Sequence, residues 1–333
     1  MNYIGSKYKL SDFIFTTIQS VVGNNLSNKI FCDLFAGTGI IGRKFKSSVK
    51  MVIANDFEYY SYVLNKNYIG NHNPIPNKEK YIEKLNNIQP TVGFIYNNYC
   101  IGSGSGRQYF SDNNGKKIDA IRQEIEKLKD SKEISNELYY FLLASLIESA
   151  DKVANTASVY GAFLKNLKRT AQKELIIESA DFTINVNDHI VFNEDSNKLI
   201  KQIEGDILYL DPPYNTRQYG ANYHLLNTIA LYDYFEPKGK TGLRNYKKSQ
   251  YCSKHSVINA FNELIENANF KYIFLSYNNE GLMTVDEVEN IMSKYGKYSL
   301  ANIDYQRFRA DKEENRKHKS NKTIEYLHIL QKK

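Results

Sequence analysis

Short apolar runs alternate with helical patterns in the first 70 residues, and this alternation restricts the fold more than any other feature of the chain. The segments are, in chain order, a helix over 7–22, a strand over 30–35, a helix that starts over 40–45, a strand over 51–55 and a helix over 57–68. Strands that are joined through helices form parallel sheets. The pattern therefore predicts an α/β fold with a parallel sheet.

This alternation stops between residues 71 and 185, where the chain is polar and rich in helical patterns. Apolar runs typical of strands return only after this segment. The later predicted elements are helices over 117–129 and 134–153 and strands over 189–192, 206–210, 272–277, 298–305 and 324–330.

The spacing of two predicted strands indicates an insertion. The first strand ends near Asp33, and the strand over 206–210 ends 177 residues later. If these are the first and fourth strands of the sheet, three βα units of about 30 residues fill only about 90 of those positions. We therefore predict one domain formed by 1–70 and 186–333, with 71–185 as a mainly helical inserted subdomain.

A glycine-rich turn, Asp33–Gly39 (DLFAGTG), follows the first predicted strand and precedes a helix. Glycines let the backbone pass close to a ligand, and the following helix offers free N–H groups. No Gly-Lys-Ser/Thr follows, which excludes a Walker loop, and the G-x-G-x-x-G pattern is incomplete although Gly42 lies three residues after Gly39. The turn predicts a ligand site of another kind.

Two acids accompany this turn. Asp33 closes the strand, where its carboxylate is suited to a ligand's ammonium group. Asp56 follows the second strand, 17 residues after Gly39, an offset that resembles the acid that binds ribose hydroxyls in Rossmann-like folds. Asp56 is also suited to cap the next helix, and the two roles are compatible.

The most informative stretch ends the strand over 206–210 in Asp211-Pro212-Pro213-Tyr214. The two prolines fix φ and remove two N–H donors, so carbonyl oxygens stand beside the Asp211 carboxylate as acceptors. An exocyclic amine on a planar base offers two N–H donors and a flat face. The Asp211 carboxylate and the Pro212 carbonyl can each accept a hydrogen bond from one N–H group, and the Tyr214 ring can stack on the base. The alternative is a simple strand-to-loop turn, which the glycine turn upstream makes less attractive.

Together, Asp-Pro-Pro-Tyr and Asp-Leu-Phe-Ala-Gly-Thr-Gly resemble the motifs of the S-adenosylmethionine-dependent adenine-N6 DNA methyltransferases. The opening Tyr3–Leu10 (YIGSKYKL) resembles the N-terminal cofactor motif of the Dam-like (D12 class) branch, and the order of motifs matches as well. The stretch Asp211–Tyr219 (DPPYNTRQY) is most similar to type II modification enzymes of that branch. Tyr3 stands where the family commonly has Trp, and Ser6 where Gly is frequent.

The resemblance implies a Rossmann-like methyltransferase fold in which the insertion 71–185 is the target-recognition subdomain. It implies S-adenosylmethionine as cofactor and double-stranded DNA as partner, with a cognate restriction endonuclease as a candidate second partner. The implied amine site is Asp211, Pro212 and Tyr214. The implied cofactor-binding residues are Tyr3, Lys7, Asp33, Phe35, Gly37, Gly39, Asp56, Asp195 and Asp211; Asp195 would read the cofactor's adenine and Asp56 the ribose.

The implied reaction is direct methyl transfer to N6 of an adenine that has flipped out of the duplex. It depends on positioning and on stabilisation of the positive charge that builds on N6, rather than on acid–base chemistry. It needs no nucleophilic cysteine and no metal, and the six histidines form no ligand cluster in the sequence.

Basic and partly aromatic stretches are candidates for DNA contact. Arg forms bidentate hydrogen bonds with the edge of guanine and Gln with the edge of adenine, whereas lysines pair with phosphates. Residues just after the tetrapeptide are placed to fill the gap that a flipped base leaves. The predicted DNA-contacting residues are Arg107, Gln108, Lys165, Arg169, Arg217, Tyr219, Lys247 and Lys248.

Four alternatives remain at the level of the sequence. RNA adenine methylation would use the same amine site, whereas protein glutamine methylation would favour Asn at position 211. A magnesium nuclease built on Asp211, Glu236 and Lys238 is disfavoured because Pro237 interrupts the required strand. A catalytically silent DNA-binding module would not need an intact Asp-Pro-Pro-Tyr.

Composition restricts the setting. The net charge of +7 permits a polyanionic partner without requiring one. Three scattered cysteines exclude a disulfide scaffold and a thiolate zinc site. No apolar run reaches the length of a membrane span, and no secretory signal follows Lys7 and Lys9. These features predict an intracellular protein with no membrane partner. The family resemblance further implies a cytoplasmic, nucleoid-associated protein of a prokaryote.

Overall fold

Two compact units make up this computed structural model, which describes residues 7–306 and 322–333. One unit, here called the helical unit, contains Glu58–Ile184 and Tyr219–Lys247. The other, the sheet unit, contains 7–57, Asn185–Gln218 and the described part of 248–333. The helical unit thus includes nearly all of the predicted insertion and adds 58–70 and 219–247.

Helices and strands mostly alternate in the sheet unit, whereas the described regular elements of the helical unit are all helices. The helices are α1 (Ser11–Val22), α2 (Ile40–Phe45), α3 (Tyr59–Asn65), α4 (Lys78–Asn86), α5 (Phe94–Tyr99), α6 (Asp112–Asp130), α7 (Asn136–Lys152), α8 (Ser196–Leu199), α9 (Tyr219–Asn222), α10 (His224–Leu231), α11 (Val257–Asn267) and α12 (Val285–Met292). The strands are β1 (Ile30–Asp33), β2 (Met51–Asn55), β3 (Ile190–Phe192), β4 (Glu204–Leu210), β5 (Asn269–Asn278), β6 (Gly296–Gln306) and β7 (Lys322–Lys332). Short 3-10 turns lie at Tyr8–Leu10, Ile101–Ser103 and Gln250–Cys252, and a π turn at Lys66–Gly70 follows α3.

The seven strands form one sheet in the order β3-β2-β1-β4-β5-β7-β6. Strands β1 to β5 are parallel, and β7 runs antiparallel to both β5 and β6. This mixed sheet with its helices confirms the predicted α/β class, and every predicted strand is present. The order means that β1 has β2 on one side and β4 on the other, so the chain reverses its direction of travel across the sheet at that point.

The central strands are formed by apolar runs because both of their faces are covered. Phe31, Cys32, Leu208 and Leu210 are fully buried. Cys32, Leu208 and Leu210 join a core that includes the apolar face of α11, and Phe31 stacks on Phe45. In β1 the polar residue stands at the carboxyl end, where the chain leaves the sheet. Strand β1 accordingly ends at Asp33, two residues before the predicted end.

The helical unit has its own core, centred on α7. Leu142, Leu143, Leu146 and Ile147 in this helix are fully buried, because α3, α6 and α10 pack around it. Its first turn is capped by Ser135, whose side chain accepts a hydrogen bond from the Leu138 N–H group. Among the described helices, none combines the length and apolar character that a membrane-spanning segment requires.

Candidate active site

The carboxyl ends of β1 and β4 lie side by side at the point where the strand order reverses. In open α/β sheets, ligands bind in the crevice at such a switch point. The register pairs Asp33 with Tyr209, so Asp211 lies just beyond the end of β4 and next to the end of β1. The topology therefore brings the glycine turn and the Asp-Pro-Pro-Tyr segment to one edge of the sheet.

The turn after β1 requires glycine at two positions. Gly37 has φ +52° and Gly39 has φ +77°, values that side chains with a Cβ atom rarely adopt. Gly39 precedes α2 and donates its N–H to the Ala36 carbonyl at 2.8 Å. The predicted turn is thus confirmed as a left-handed passage from strand to helix.

Asp56 lies against this turn. Its carboxylate Oδ2 accepts a hydrogen bond from the Gly37 N–H at 2.7 Å, and the side chain is half-buried. The alternative role as a helix cap does not apply to α3, which begins after Glu58 with no side-chain cap. Asp56 therefore stabilises the backbone of the glycine turn from the carboxyl end of β2.

Asp33 is 1% exposed, and only one of its two carboxyl oxygens has a hydrogen-bond partner among the described residues. Its Oδ2 accepts the Gly42 N–H at 3.1 Å, whereas its Oδ1 has no hydrogen-bond partner among the described residues. Burial raises the pKa of Asp33 to about 8; the Gly42 hydrogen bond opposes this shift, and the charges of Asp211 and Asp56 add to it. The Asp33 carboxyl is therefore largely neutral at pH 7, with one buried oxygen left for a ligand.

Asp211, whose side chain is 18% exposed, belongs to a largely buried cluster of three charged side chains. Lys7 Nζ lies 3.2 Å from Asp211 Oδ1 and 2.6 Å from Glu325 Oε1. The side chains of Lys7 and Glu325 are each 7% exposed. The Ser276 hydroxyl also donates to Glu325 Oε1, at 3.1 Å. One ammonium group thus serves two carboxylates.

The protonation states follow from this arrangement. Burial raises the pKa of Asp211 to about 6; Lys7 opposes the shift and Glu325 adds to it. Burial tends to lower the pKa of Lys7, but Asp211 and Glu325 together raise it well above its ordinary value. At pH 7 the Asp211 carboxylate is mostly ionised and Lys7 is charged.

The rest of the tetrapeptide is held beside this cluster. Pro212 is buried and Tyr214 half-buried. The Tyr214 carbonyl accepts the Leu282 N–H at 3.1 Å, and Lys7 Nζ lies 5.9 Å from the centroid of the Tyr214 ring. An aromatic face and the Asp211 carboxylate are therefore both within reach of Lys7.

Asp195 occupies the loop after β3. Its side chain caps α8 by accepting the N–H groups of Asn197 and Lys198 at 3.0 and 3.1 Å. The Asn193 side chain ties this loop to the Asp56 carbonyl at 2.8 Å. The predicted adenine-reading acid therefore has a structural role at the helix end and lies on a loop bonded to the backbone of Asp56.

Sequence reasoning missed two residues that organise these loops. Asn55, fully buried, donates its Nδ2 to the carbonyls of Leu34 and Glu194, both at 3.1 Å. Glu325 was overlooked because its role depends on partners far away in the chain. A usable signal existed for Glu325: it is an acidic residue inside the apolar run 324–330, where an unpaired charge is costly.

Phe35 and Tyr3 complete the list of predicted cofactor residues. The half-buried Phe35 ring meets Tyr251 edge-on, with centroids 5.0 Å apart. Tyr3 lies outside the described residues. The structure brings most of the predicted cofactor residues together at the switch point: Asp33, Phe35, Gly37, Gly39, Asp56 and Asp211. Lys7 is paired with Asp211.

Arg107, a predicted DNA-contacting residue, is hydrogen-bonded within the helical unit. The guanidinium donates to the carbonyls of Asn98 at 3.1 Å, Gly239 at 2.9 Å and Pro237 at 3.5 Å. These bonds fasten the turn that follows Pro237 within the helical unit. Without DNA, Arg107 is an internal anchor, because its two terminal nitrogens are engaged by backbone oxygens. Its contact with DNA stays a prediction.

The remaining DNA candidates differ in exposure. Gln108 and Tyr219 are half-buried, and the Tyr219 ring stacks on Tyr223. The exposed candidates are Lys165, Arg169 and Lys247 in the helical unit and Arg217 and Lys248 in the sheet unit. In the described parts of the chain, no group of three or more His, Cys, Asp or Glu side chains is arranged to hold a metal ion.

Comparison with known proteins places this geometry in a family context. The model of the D12 class N6 adenine-specific DNA methyltransferases matches residues 3–327. The chain is 64% identical to the type II methyltransferase M.NlaIII of Neisseria lactamica over 332 residues, covering 100% of this chain and 99% of the relative. It is 38% identical to type II methyltransferase M.CviAII of Paramecium bursaria Chlorella virus 1, covering 93% of each chain. It is also 40% identical to type II methyltransferase M.FokI of Planomicrobium okeanokoites, covering 100% of this chain and 53% of that protein.

Proposed function

Because the chain belongs to the D12 class N6 adenine-specific DNA methyltransferases, we propose that the switch-point crevice is its active site. Asp33, Phe35, Gly37, Gly39 and Asp56 then hold the methyl donor. The observation that carries this proposal is the position of the Asp211 carboxylate at the end of β4, beside the glycine turn at the end of β1.

We propose S-adenosylmethionine as the methyl donor. The residues fit its parts: the unpartnered Asp33 Oδ1 suits the ammonium group, and the left-handed glycine turn allows the backbone to approach closely. Asp56, held on Gly37, is placed to accept hydrogen bonds from ribose hydroxyls. This donor supplies an activated methyl group on a sulfonium. Asp195 and Tyr3 remain proposed cofactor residues.

We expect donor binding at pH 7 to release close to one proton from Asp33. The pKa of Asp33 is raised to about 8, so its carboxyl is mostly protonated in the free protein, and an ammonium partner favours the ionised form. Isothermal calorimetry in two buffers of different ionisation enthalpy counts the released protons. Asp33→Asn should bind more weakly and release almost none. Equal proton release by both proteins would contradict the assignment.

The target amine is proposed to bind at Asp211. An ionised carboxylate and the Pro212 carbonyl accept the two N6–H donors of a flipped adenine, while the Tyr214 ring stacks on the base. Accepting these hydrogen bonds makes the N6 lone pair more available for attack. The Asp211 charge also stabilises the positive charge that builds on N6.

Target recognition is proposed for the helical unit, in line with the predicted insertion 71–185. Its exposed Lys165, Arg169 and Lys247 are suited to phosphates. In the sheet unit, Arg217 and Lys248 are exposed, so they remain candidates for the same role. Arg107 and Gln108 remain proposed DNA contacts of this unit, and Arg107 would have to exchange its bonds to backbone carbonyls for bonds to DNA.

The full-length similarity to type II methyltransferases supports a role in restriction–modification. We propose that this chain modifies a short site in double-stranded DNA and so protects it from a cognate endonuclease. The RNA alternative finds no support among the relatives, since the matched family is DNA-specific.

Expression in a host that lacks DNA methylation tests the function directly. Modified-base sequencing should then show N6-methyladenine at one short recurring sequence, and nucleoside mass spectrometry should find it in DNA. Methylation confined to RNA, or N4-methylcytosine as the product, would contradict the proposal.

A further inference from the structure

Glu325 lies on β7, in the antiparallel part of the sheet. Its side chain nevertheless contacts Lys7, which also pairs with Asp211 at the end of the parallel strand β4. Glu325 pairs in register with Asn278 of β5, and its buried carboxylate receives both Lys7 Nζ and the Ser276 hydroxyl on Oε1. The Lys7–Glu325 distance of 2.6 Å is shorter than the Lys7–Asp211 distance of 3.2 Å. The Lys7 ammonium group is therefore closer to Glu325, which no sequence motif predicts, than to Asp211.

We propose that Glu325 is a positioning residue for methyl transfer: it draws Lys7 towards itself and thereby leaves Asp211 available to accept hydrogen bonds from the target amine. This inference rests on the proposed function of Asp211. Glu325 itself need not touch either substrate.

Charge balance in the cluster supports this role. Lys7 paired with Asp211 alone would be neutral, and a neutral pair does little for a cation that builds on N6. The second carboxylate makes the cluster net negative. The titratable groups that interact electrostatically with Asp211 are Lys7, Glu325, Asp33 and Tyr209.

A purely structural role accounts less well for the second acid. Burying an additional carboxylate is costly unless it is paired and hydrogen-bonded. Anchoring Lys7 requires only one acceptor, and Asp211 already provides one. A buried acid that competes for the same ammonium makes sense when the ammonium must be kept from neutralising Asp211.

The substitution Glu325→Gln tests the proposal, because glutamine keeps the size of the side chain and an oxygen acceptor for Lys7 but removes the charge. Since Glu325 raises the pKa of Asp211, its removal should move the Asp211 titration to lower pH. Carbon-13 NMR of labelled aspartate carboxyls measures this, with the Asp211 signal assigned from an Asp211→Asn spectrum. An unchanged titration would overturn the proposal.

Activity supplies the second readout. In wild-type protein the rate should rise with pH through about 6 as Asp211 ionises. In Glu325→Gln the acid limb should move to lower pH, while the plateau kcat falls about tenfold because the neutral amide holds Lys7 less strongly and Lys7 moves closer to Asp211. A shifted titration with wild-type kcat would refute the positioning role. The exposed Glu289→Gln is the matched control and should change neither quantity.

The two proposals fail in different ways. If the wild-type protein forms no N6-methyladenine, the proposed function is wrong, whereas the NMR titration still decides whether Glu325 governs Asp211. If the wild type is active and the titrations of the two proteins coincide, only the inference about Glu325 is wrong.

Discussion

Asp211→Ala is expected to lower the methylation rate by about a thousandfold while leaving the affinity for the methyl donor within a few fold of wild type. In the proposed mechanism the carboxylate accepts the amine hydrogens and stabilises charge on N6, and removing one such electrostatic partner typically costs a hundredfold to a thousandfold. Single-turnover methylation of a DNA duplex and calorimetric titration of the donor measure the two quantities separately.

The fold should survive this change. When Asp211 is lost, Lys7 still pairs with Glu325 at 2.6 Å, so no buried ammonium is left without a partner. Asp211→Asn keeps the shape and one acceptor oxygen and is expected to be inactive to a similar order, because the charge is missing. Asp286→Asn, an exposed position on α12, serves as the matched control. Retention of more than a tenth of the activity in Asp211→Ala would refute the assigned role.

Local signals made most of the sheet predictable. Strands β1, β2 and β4 are four to seven residues long, and each contains a short apolar run. Residues typical of a chain turn follow: glycines from Gly37 after β1, Asp56 after β2 and the two prolines soon after β4. Because the carboxyl ends of neighbouring parallel strands share one edge, placing these strands also placed the Asp33 turn and Asp211 together.

Long-range pairing was not predictable in the same way. Lys7 and Glu325 are 318 positions apart in the chain, and their meeting depends on β7 entering the sheet between β5 and β6 in antiparallel orientation. A single sequence carries no measure of such a register. The charge inside an apolar run marks Glu325 as unusual but does not name its partner.

Arg107 is a second case of long-range pairing. The sequence marks this basic residue after the glycine-rich 102–106 turn as a DNA contact, because arginine reads guanine edges, but it does not show which backbone oxygens the side chain meets in the folded chain. Its hydrogen-bond acceptors are the carbonyls of a turn about 130 positions later, and guanidinium groups satisfy several backbone oxygens at once. The direction of the side chain depends on that tertiary contact, which propensity cannot supply.

Lys7→Met is expected to reduce both stability and activity strongly, because it leaves two buried carboxylates without their shared cation. Removing one partner of a buried ion pair typically costs about 3–5 kcal/mol of unfolding free energy. Lys7 lowers the pKa of Asp211, so its loss should raise that pKa above about 6 and move the acid limb of the rate to higher pH. Chemical denaturation at several pH values, together with a pH–rate profile, measures both effects.

The pH dependence of the stability loss has a definite sign. In Lys7→Met the folded protein binds a proton at Asp211 more tightly than the unfolded chain does, so stability rises as pH falls and the deficit is smaller at pH 5 than at pH 8. The double variant Lys7→Met/Glu325→Leu removes one stranded carboxylate and should regain a large part of the lost stability while remaining slow in methyl transfer, because the site still lacks Lys7. If the two substitutions prove additive in unfolding free energy, the residues are not coupled and the shared-ammonium description is wrong.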